Sequence, residues 1–148
     1  MKKIIFVCTG NTCRSPMAEI MLKAMIKNDG IEGVRVSSAG LAVGEGDKIN
    51  KNSAKAIRKL GYKFSSFKSK QLTAQMVKKA TVVITMTAEQ KRYLSAFENV
   101  MSISEIEGCR DVSDPYGLDE TAYFNTAIQI EQACKAIKDK IVKLQKGE

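Results

Sequence analysis

The residues with the most reactive chemistry sit together near the start of the chain, in Cys8-Thr9-Gly10-Asn11-Thr12-Cys13-Arg14-Ser15. A thiolate is a strong nucleophile, and thiols near cations and helix N-termini are held in that form. Arg14, separated from Cys8 by five residues in the C-x5-R spacing, has a planar fork that can hold two oxygens of an oxyanion at once, which Lys cannot do. Gly10 and Asn11 both tolerate the positive φ that a tight loop of consecutive amides needs, and such a loop forms a nest for a phosphate. Ser15 can donate a hydrogen bond to the Cys8 sulfur. The C-x5-R spacing alone is a weak signal. It becomes strong with Ser after it, a strand before it and a helix following.

Other chemistry is excluded by composition. The chain has no His, so a His general base, a Ser-His-Asp triad and a His metal ligand are absent; it has no Trp and no Gly-Lys-Ser/Thr phosphate loop. The four cysteines, Cys8, Cys13, Cys109 and Cys134, show no C-x-x-C spacing, so no metal site is expected. They read as reduced thiols, one of them a nucleophile, with Cys109 and Cys134 structural.

The elements that must position this segment follow from the pattern around it. Ile4-Ile5-Phe6-Val7 is a short apolar run suited to a strand covered on both faces. Ser15-Pro16 predicts a helix start, with Ser as N-cap and Pro at the first helical position, running to about Asn28. Further strands are expected at Val34–Ser38, broken by Gly40, at Ala80–Met86, and at Asn99–Ile103. Helices are expected at Ser53–Leu60, stopped by Gly61, at Leu72–Lys79 capped by Thr73, from Thr87 to about Ala96, and from Glu120 to Leu144 with Ile130, Cys134, Ile137, Ile141 and Leu144 facing inward. The segment from Ser104 to Asp119 is a long loop, and loops longer than ~12–15 residues in a compact domain are usually functional. The alternation predicts an α/β fold: one domain over residues 1–148, a central four-stranded parallel twisted sheet with helices on both faces, and a phosphate-binding loop after the first strand. Ligands bind beyond the carboxyl ends of such strands, where Cys8 lies.

The 148 residues carry a net charge of +8, with 44% hydrophobic and 27% charged residues, an ordinary globular composition. No apolar run reaches the ~18 residues of a membrane span or suits a secretion signal, so a cytoplasmic protein without a membrane partner is expected. The lysines are scattered, and Glu107, Asp111, Asp114 and Asp119 make the long loop acidic. A dedicated nucleic-acid site is therefore disfavoured against a general positive field that speeds encounter with anions.

The run Val7-Cys8-Thr9-Gly10-Asn11-Thr12-Cys13-Arg14-Ser15-Pro16-Met17-Ala18-Glu19 resembles the signature of the low molecular weight protein-tyrosine-phosphatase family. Ser38-Ala39-Gly40 is similar to its second-strand ending, and Asp114-Pro115-Tyr116-Gly117 resembles its acid loop. The resemblance spans the whole chain. It implies that Cys8 attacks phosphorus and forms a phosphocysteine, and that the amides of Thr9, Gly10, Asn11, Thr12, Cys13 and Arg14 hold the phosphoryl oxygens together with the Arg14 side chain. Asp114 would protonate the leaving group, and Tyr116 would wall the substrate cleft. Asn11 and Ser38 would keep the loop in shape, and Cys13 is a candidate redox partner for Cys8. No cofactor is implied. The partners would be phosphorylated proteins, with phosphate or another oxyanion in the site.

The sequence departs from the family pattern at three places. Thr12 stands where tyrosine-specific members commonly carry Ile or Leu, and this resembles the protein-arginine-phosphatase branch. The segment Leu41–Asn50 lacks the aromatic that often lines a phosphotyrosine cleft. Phe67 lies near where the family often has a His supporting the loop. Phosphoarginine is the favoured substrate and phosphotyrosine the alternative. Thioredoxin-coupled arsenate reductase is more distant, because Cys109 and Cys134 lie too far apart in sequence for its relay pair. A non-catalytic anion-binding module is a further alternative, against which Cys8, Arg14 and Asp114 stand together.

Overall fold

The first strand settles most of the architecture. In the computed structural model, which describes residues 1–147, β1 (Lys2–Cys8) is buried from Ile4 onward and is flanked on both sides by parallel partners. Residue 148, the last of the expected domain, lies outside the described residues. The sheet order is β2-β1-β3-β4, with β2 at Val34–Gly40, β3 at Val82–Thr85 and β4 at Val100–Ser102, all parallel. Side chains alternate across a strand, so β1 feeds two cores. Ile4, Phe6 and Cys8 join one with α1 (Arg14–Asn28), α2 (Lys51–Lys59) and α5 (Glu120–Gln145). Ile5 and Val7 join the other, with Val77 of α3 (Ala74–Lys79) and Leu94 just beyond α4 (Ala88–Arg92). Helices on both faces explain why the strand is wholly apolar rather than alternating.

The caps at Thr73 and Thr87 form as their sequence suggests: each hydroxyl accepts from a backbone N–H, Met76 and Gln90 respectively. Asp119 caps α5 through Ala122 N. Several boundaries differ from the sequence reading, with β3 and β4 shorter than expected and Leu144 at the end of α5 exposed rather than inward-facing, because the helix there has run past the sheet and its core. α1 begins at Arg14, with Cys13 as an N-cap that makes no side-chain cap bond, because the Ser15 hydroxyl is engaged elsewhere. α2 begins at Lys51 behind an Asn50 cap, since Ser53 spends its hydroxyl on Cys13 O. α4 ends at Arg92 and passes into turns through Ala96. Gly40 does not break β2 but closes it, pairing with Cys8. The long loop opens with a short 3-10 turn, Ile103–Glu105. No helix is long and apolar enough to cross a membrane.

Candidate active site

The register places Cys8 and Gly40 side by side at the carboxyl edge of the sheet, where β1 gives way to the loop into α1. Asn11 takes φ 54°, the left-handed conformation that Asn tolerates better than most residues. Gly10 does not use its freedom: its φ is not positive, and an added Cβ would meet only Thr12 Oγ1 at 3.5 Å.

The loop's carbonyls are tied outward. Cys8 O accepts from Leu41 N (3.0 Å), Thr9 O from Ala42 N (2.9 Å) and Thr12 O from Asn50 N (2.7 Å). Asn11 O accepts from Ser69 Oγ (2.7 Å) and Cys13 O from Ser53 Oγ (3.3 Å). With the acceptors turned away, the amides of the loop and of the first turn of α1 are the groups left to face the concavity. Those from Gly10 to Arg14 have no protein partner among the described residues. Such a ring of donors, at the positive end of a helix, binds a tetrahedral oxyanion.

Arg14 completes it. Its side chain is almost wholly buried; Nη1 donates to Val112 O (2.9 Å), and Nη2 lies 3.7 Å from Asp114 Oδ2. Nε is buried with no partner among the described residues. A buried guanidinium N–H is costly to leave unpaired, and an oxyanion in the loop is the partner this arrangement suits.

Cys8 sits beneath this ring, 2% exposed, with its sulfur 2.9 Å from Ser15 Oγ and 3.5 Å from Ser15 N. The direction of the Ser15 bond is set by a chain of fully buried groups. Ser38 Oγ gives its one hydrogen to Glu19 Oε1 (2.9 Å), so it can only accept from Asn11 Nδ2 (2.9 Å). Asn11 is held the right way round by Lys70 N, which donates to Oδ1 (2.9 Å). Asn11 Nδ2 also donates to Ser15 Oγ (2.8 Å), which leaves the Ser15 hydrogen for the Cys8 sulfur. The Glu19 carboxylate, backed by Lys23 at 3.0 Å, thus aims the Ser15 hydroxyl at the thiol through two intermediaries, Ser38 and Asn11. Phe67 takes no part in it; Ser69 and Lys70 supply the loop support from that segment.

Asp114 is half exposed beside Arg14, and its Oδ1 accepts from Tyr116 N (3.1 Å), an Asx turn across Pro115. Tyr116 is 74% exposed. Thr12 is half-buried in the middle of the loop, and Thr9 is exposed. Cys13 is buried, with Thr12 Oγ1 and Tyr123 Oη each 3.7 Å from its sulfur; burial raises its pKa above the ordinary 9.0. Cys109 is half-buried, and Cys134 is fully buried with its thiol directed at Ala18 O (3.6 Å). Among the described residues no cluster of His, Cys, Asp and Glu could hold a metal ion.

Glu19 and Gly40, like Ser69 and Lys70, are contributors that the sequence reading does not single out. Glu19 looked like part of an ordinary helix face, although it lies inside the signature run. Gly40 packs against the loop so closely that a Cβ would stand 2.8 Å from Thr9 O and 2.9 Å from Asn11 N; the Ser-Ala-Gly strand ending was its only trace.

The model of a family described as low molecular weight phosphotyrosine protein phosphatase matches residues 3–146. A protein-arginine-phosphatase from Bacillus subtilis is 31% identical over 147 residues, covering 95% of this chain and 97% of its own. A low molecular weight protein-tyrosine-phosphatase, PtpB of Staphylococcus epidermidis, is 34% identical over 147 residues, covering 93% and 98%. Among solved structures, a Cys-to-Ser mutant of the YwlE arginine phosphatase with a phosphorylated active-site serine superimposes with a TM-score of 0.90 at 31% identity, covering 99% of each chain.

Proposed function

Since the chain belongs to the low molecular weight phosphotyrosine protein phosphatase family, we propose that it hydrolyses phosphoarginine in proteins, with Cys8 as nucleophile. The Cys8 thiolate attacks phosphorus in line, and the bond from phosphorus to the leaving nitrogen breaks. Asp114 gives that nitrogen its proton. Water then attacks the phosphocysteine, Asp114 takes a proton from it, and phosphate leaves with the thiolate restored. The loop amides and Arg14 carry the charge on the equatorial oxygens throughout, and the Ser15 hydroxyl stabilises the sulfur as attacking and leaving group.

The observation that carries the substrate assignment is Thr12, half-buried at the centre of the loop. A guanidinium has only donors, and a hydroxyl can accept from it. An Ile or Leu would instead offer apolar contact to a phenyl ring. The segment Leu41–Asn50, which packs along the loop through Leu41 N, Ala42 N and Asn50 N, adds no aromatic wall. A site that hydrogen-bonds its substrate rejects one lacking the partner group strongly. The test is kcat/KM on matched phosphoarginine and phosphotyrosine peptides for wild type and Thr12→Ile. Preference for phosphoarginine that reverses in the variant is expected; a wild-type preference for phosphotyrosine overturns the assignment.

Exposed Tyr116 favours phosphotyrosine as the second reading, since its ring can stack on a phenyl group, although it can stack on a guanidinium as well. Cys13 is the proposed redox partner: after peroxide converts Cys8 to the sulfenic acid, the Cys13 thiol displaces water to give a disulfide. The site of action inferred with this substrate class is cytoplasmic, and the scattered lysines do not favour nucleic acid.

A further inference from the structure

Gln90 is a buried side-chain amide, 5% exposed, that the mechanism above does not use. It stands at the third position of α4, where it closes a capping box: the Thr87 hydroxyl accepts from Gln90 N, and Gln90 Oε1 accepts from Thr87 N (3.1 Å). Glu would serve that box equally well. Gln90 does two further things. Its Oε1 also accepts from Met86 N (3.0 Å), and its Nε2 donates to Thr9 Oγ1 (3.2 Å) in the phosphate loop. Only Gln can make both the acceptor bonds and the donor bond, and a buried carboxylate here would face a loop built to hold an anion.

These bonds close a ring. From Thr9 the path runs through Gln90 to Met86 N. Met86 O accepts from Val112 N (2.9 Å), and Val112 O accepts from Arg14 Nη1 (2.9 Å), which returns to the phosphate loop. The acid loop is pinned to the same place a second time, because Asp111 Oδ1 accepts from Ala88 N at the start of α4 (3.0 Å). Asp114 lies two residues beyond Val112, on an exposed loop with few other ties. The geometry points to Gln90 as a positioning residue that fixes the separation of the acid loop from the phosphate loop, and so the placement of Asp114 over the leaving group. This rests on Asp114 being the general acid.

The experiment compares Gln90→Leu, Thr9→Val and the double variant, each with and without Asp114→Asn, on aryl phosphates of graded leaving-group basicity. Thr9→Val removes only the bridging bond and leaves the α4 cap intact, so it keeps the test valid if Gln90→Leu folds poorly by thermal melting. Misplacement of a catalytic group by a fraction of an ångström to an ångström costs on the order of ten- to a hundredfold. Each single variant should lose that much more in kcat/KM on poor leaving groups than on p-nitrophenyl phosphate. The double variant should be no worse than the weaker single, and neither change should add loss in the Asp114→Asn background. Equal losses on all leaving groups, or losses that multiply with Asp114→Asn, overturn the inference while leaving the phosphatase reading intact. If Asp114→Asn itself leaves the leaving-group dependence unchanged, the general-acid assignment falls and takes this inference with it.

Discussion

Replacing Gly40 by Ala tests whether the phosphate loop is held by close packing as well as by hydrogen bonds. Gly40 has no positive φ, so the backbone accepts Ala and the perturbation is steric alone. The new Cβ meets Val43 Cγ2 at 2.6 Å, which can rotate away, and Thr9 O at 2.8 Å and Asn11 N at 2.9 Å, which cannot. Ordinary contact begins at 3.4 Å, so the two loop atoms must retreat by about 0.5 Å. Gly40 cannot yield in their place: its N–H donates to Lys70 O and its carbonyl accepts from Leu72 N, both at 2.8 Å. Overpacking of this kind costs roughly 1–3 kcal/mol of stability. A half-ångström shift of two of the loop's residues should cost on the order of tenfold in kcat/KM, since a whole ångström can cost about a hundredfold. The assay is kcat/KM on p-nitrophenyl phosphate with the inhibition constant of inorganic phosphate and the melting temperature alongside. Weakened phosphate inhibition together with the rate loss is expected. A variant that melts lower but binds phosphate and turns over as wild type would refute the reasoning.

Arg14→Lys keeps the charge but loses the fork, the Val112 anchor and the buried Nε, and should lose at least about a hundredfold in kcat/KM; near-normal kinetics would contradict bidentate holding of the phosphoryl group. Glu19→Gln lets the side-chain amide donate to Ser38 and so frees the Ser38 hydrogen, which scrambles the directed chain to Cys8. A rate loss with an altered acid limb of the kcat/KM pH profile is expected, and an unchanged profile argues against the wiring. Burial holds the Cys134 thiol neutral well above the ordinary 9.0, so its folded-state pKa is raised. The stabilisation that follows is complete below pH 9 and is lost as pH rises beyond it. The melting temperature should therefore fall less steeply above pH 9 in Cys134→Ala than in wild type; parallel falls would show that Cys134 is not responsible.

How far this could be read from the sequence depends on how local each feature is. The Cys8–Ser15 run, the strand before it and the Asp114-Pro115 turn are contiguous, so residue types and spacing suffice to place them. The α1 start shows where local rules give way. Ser-Pro is a good helix opening in isolation, but the tertiary fold claims the Ser15 hydroxyl for Cys8 and Asn11, and the helix starts two residues sooner without a side-chain cap. Glu19, Gly40, Ser69 and Gln90 reach the site only because the sheet register and the packing of α1 and α4 bring them there. A Glu on a helix, a Gly ending a strand and a Gln in a capping box each have an ordinary local explanation, so nothing in the sequence separates them from residues that do only that.

The central claim is that Cys8 carries the phosphoryl group. Wild-type protein is mixed with a phosphorylated substrate, quenched in acid within milliseconds to seconds, and its peptides are weighed. The account requires one added phosphoryl group on the peptide containing Cys8, appearing and decaying at rates consistent with turnover, and no turnover in Cys8→Ser. Steady turnover with no modified peptide, or turnover that survives Cys8→Ser, would contradict it.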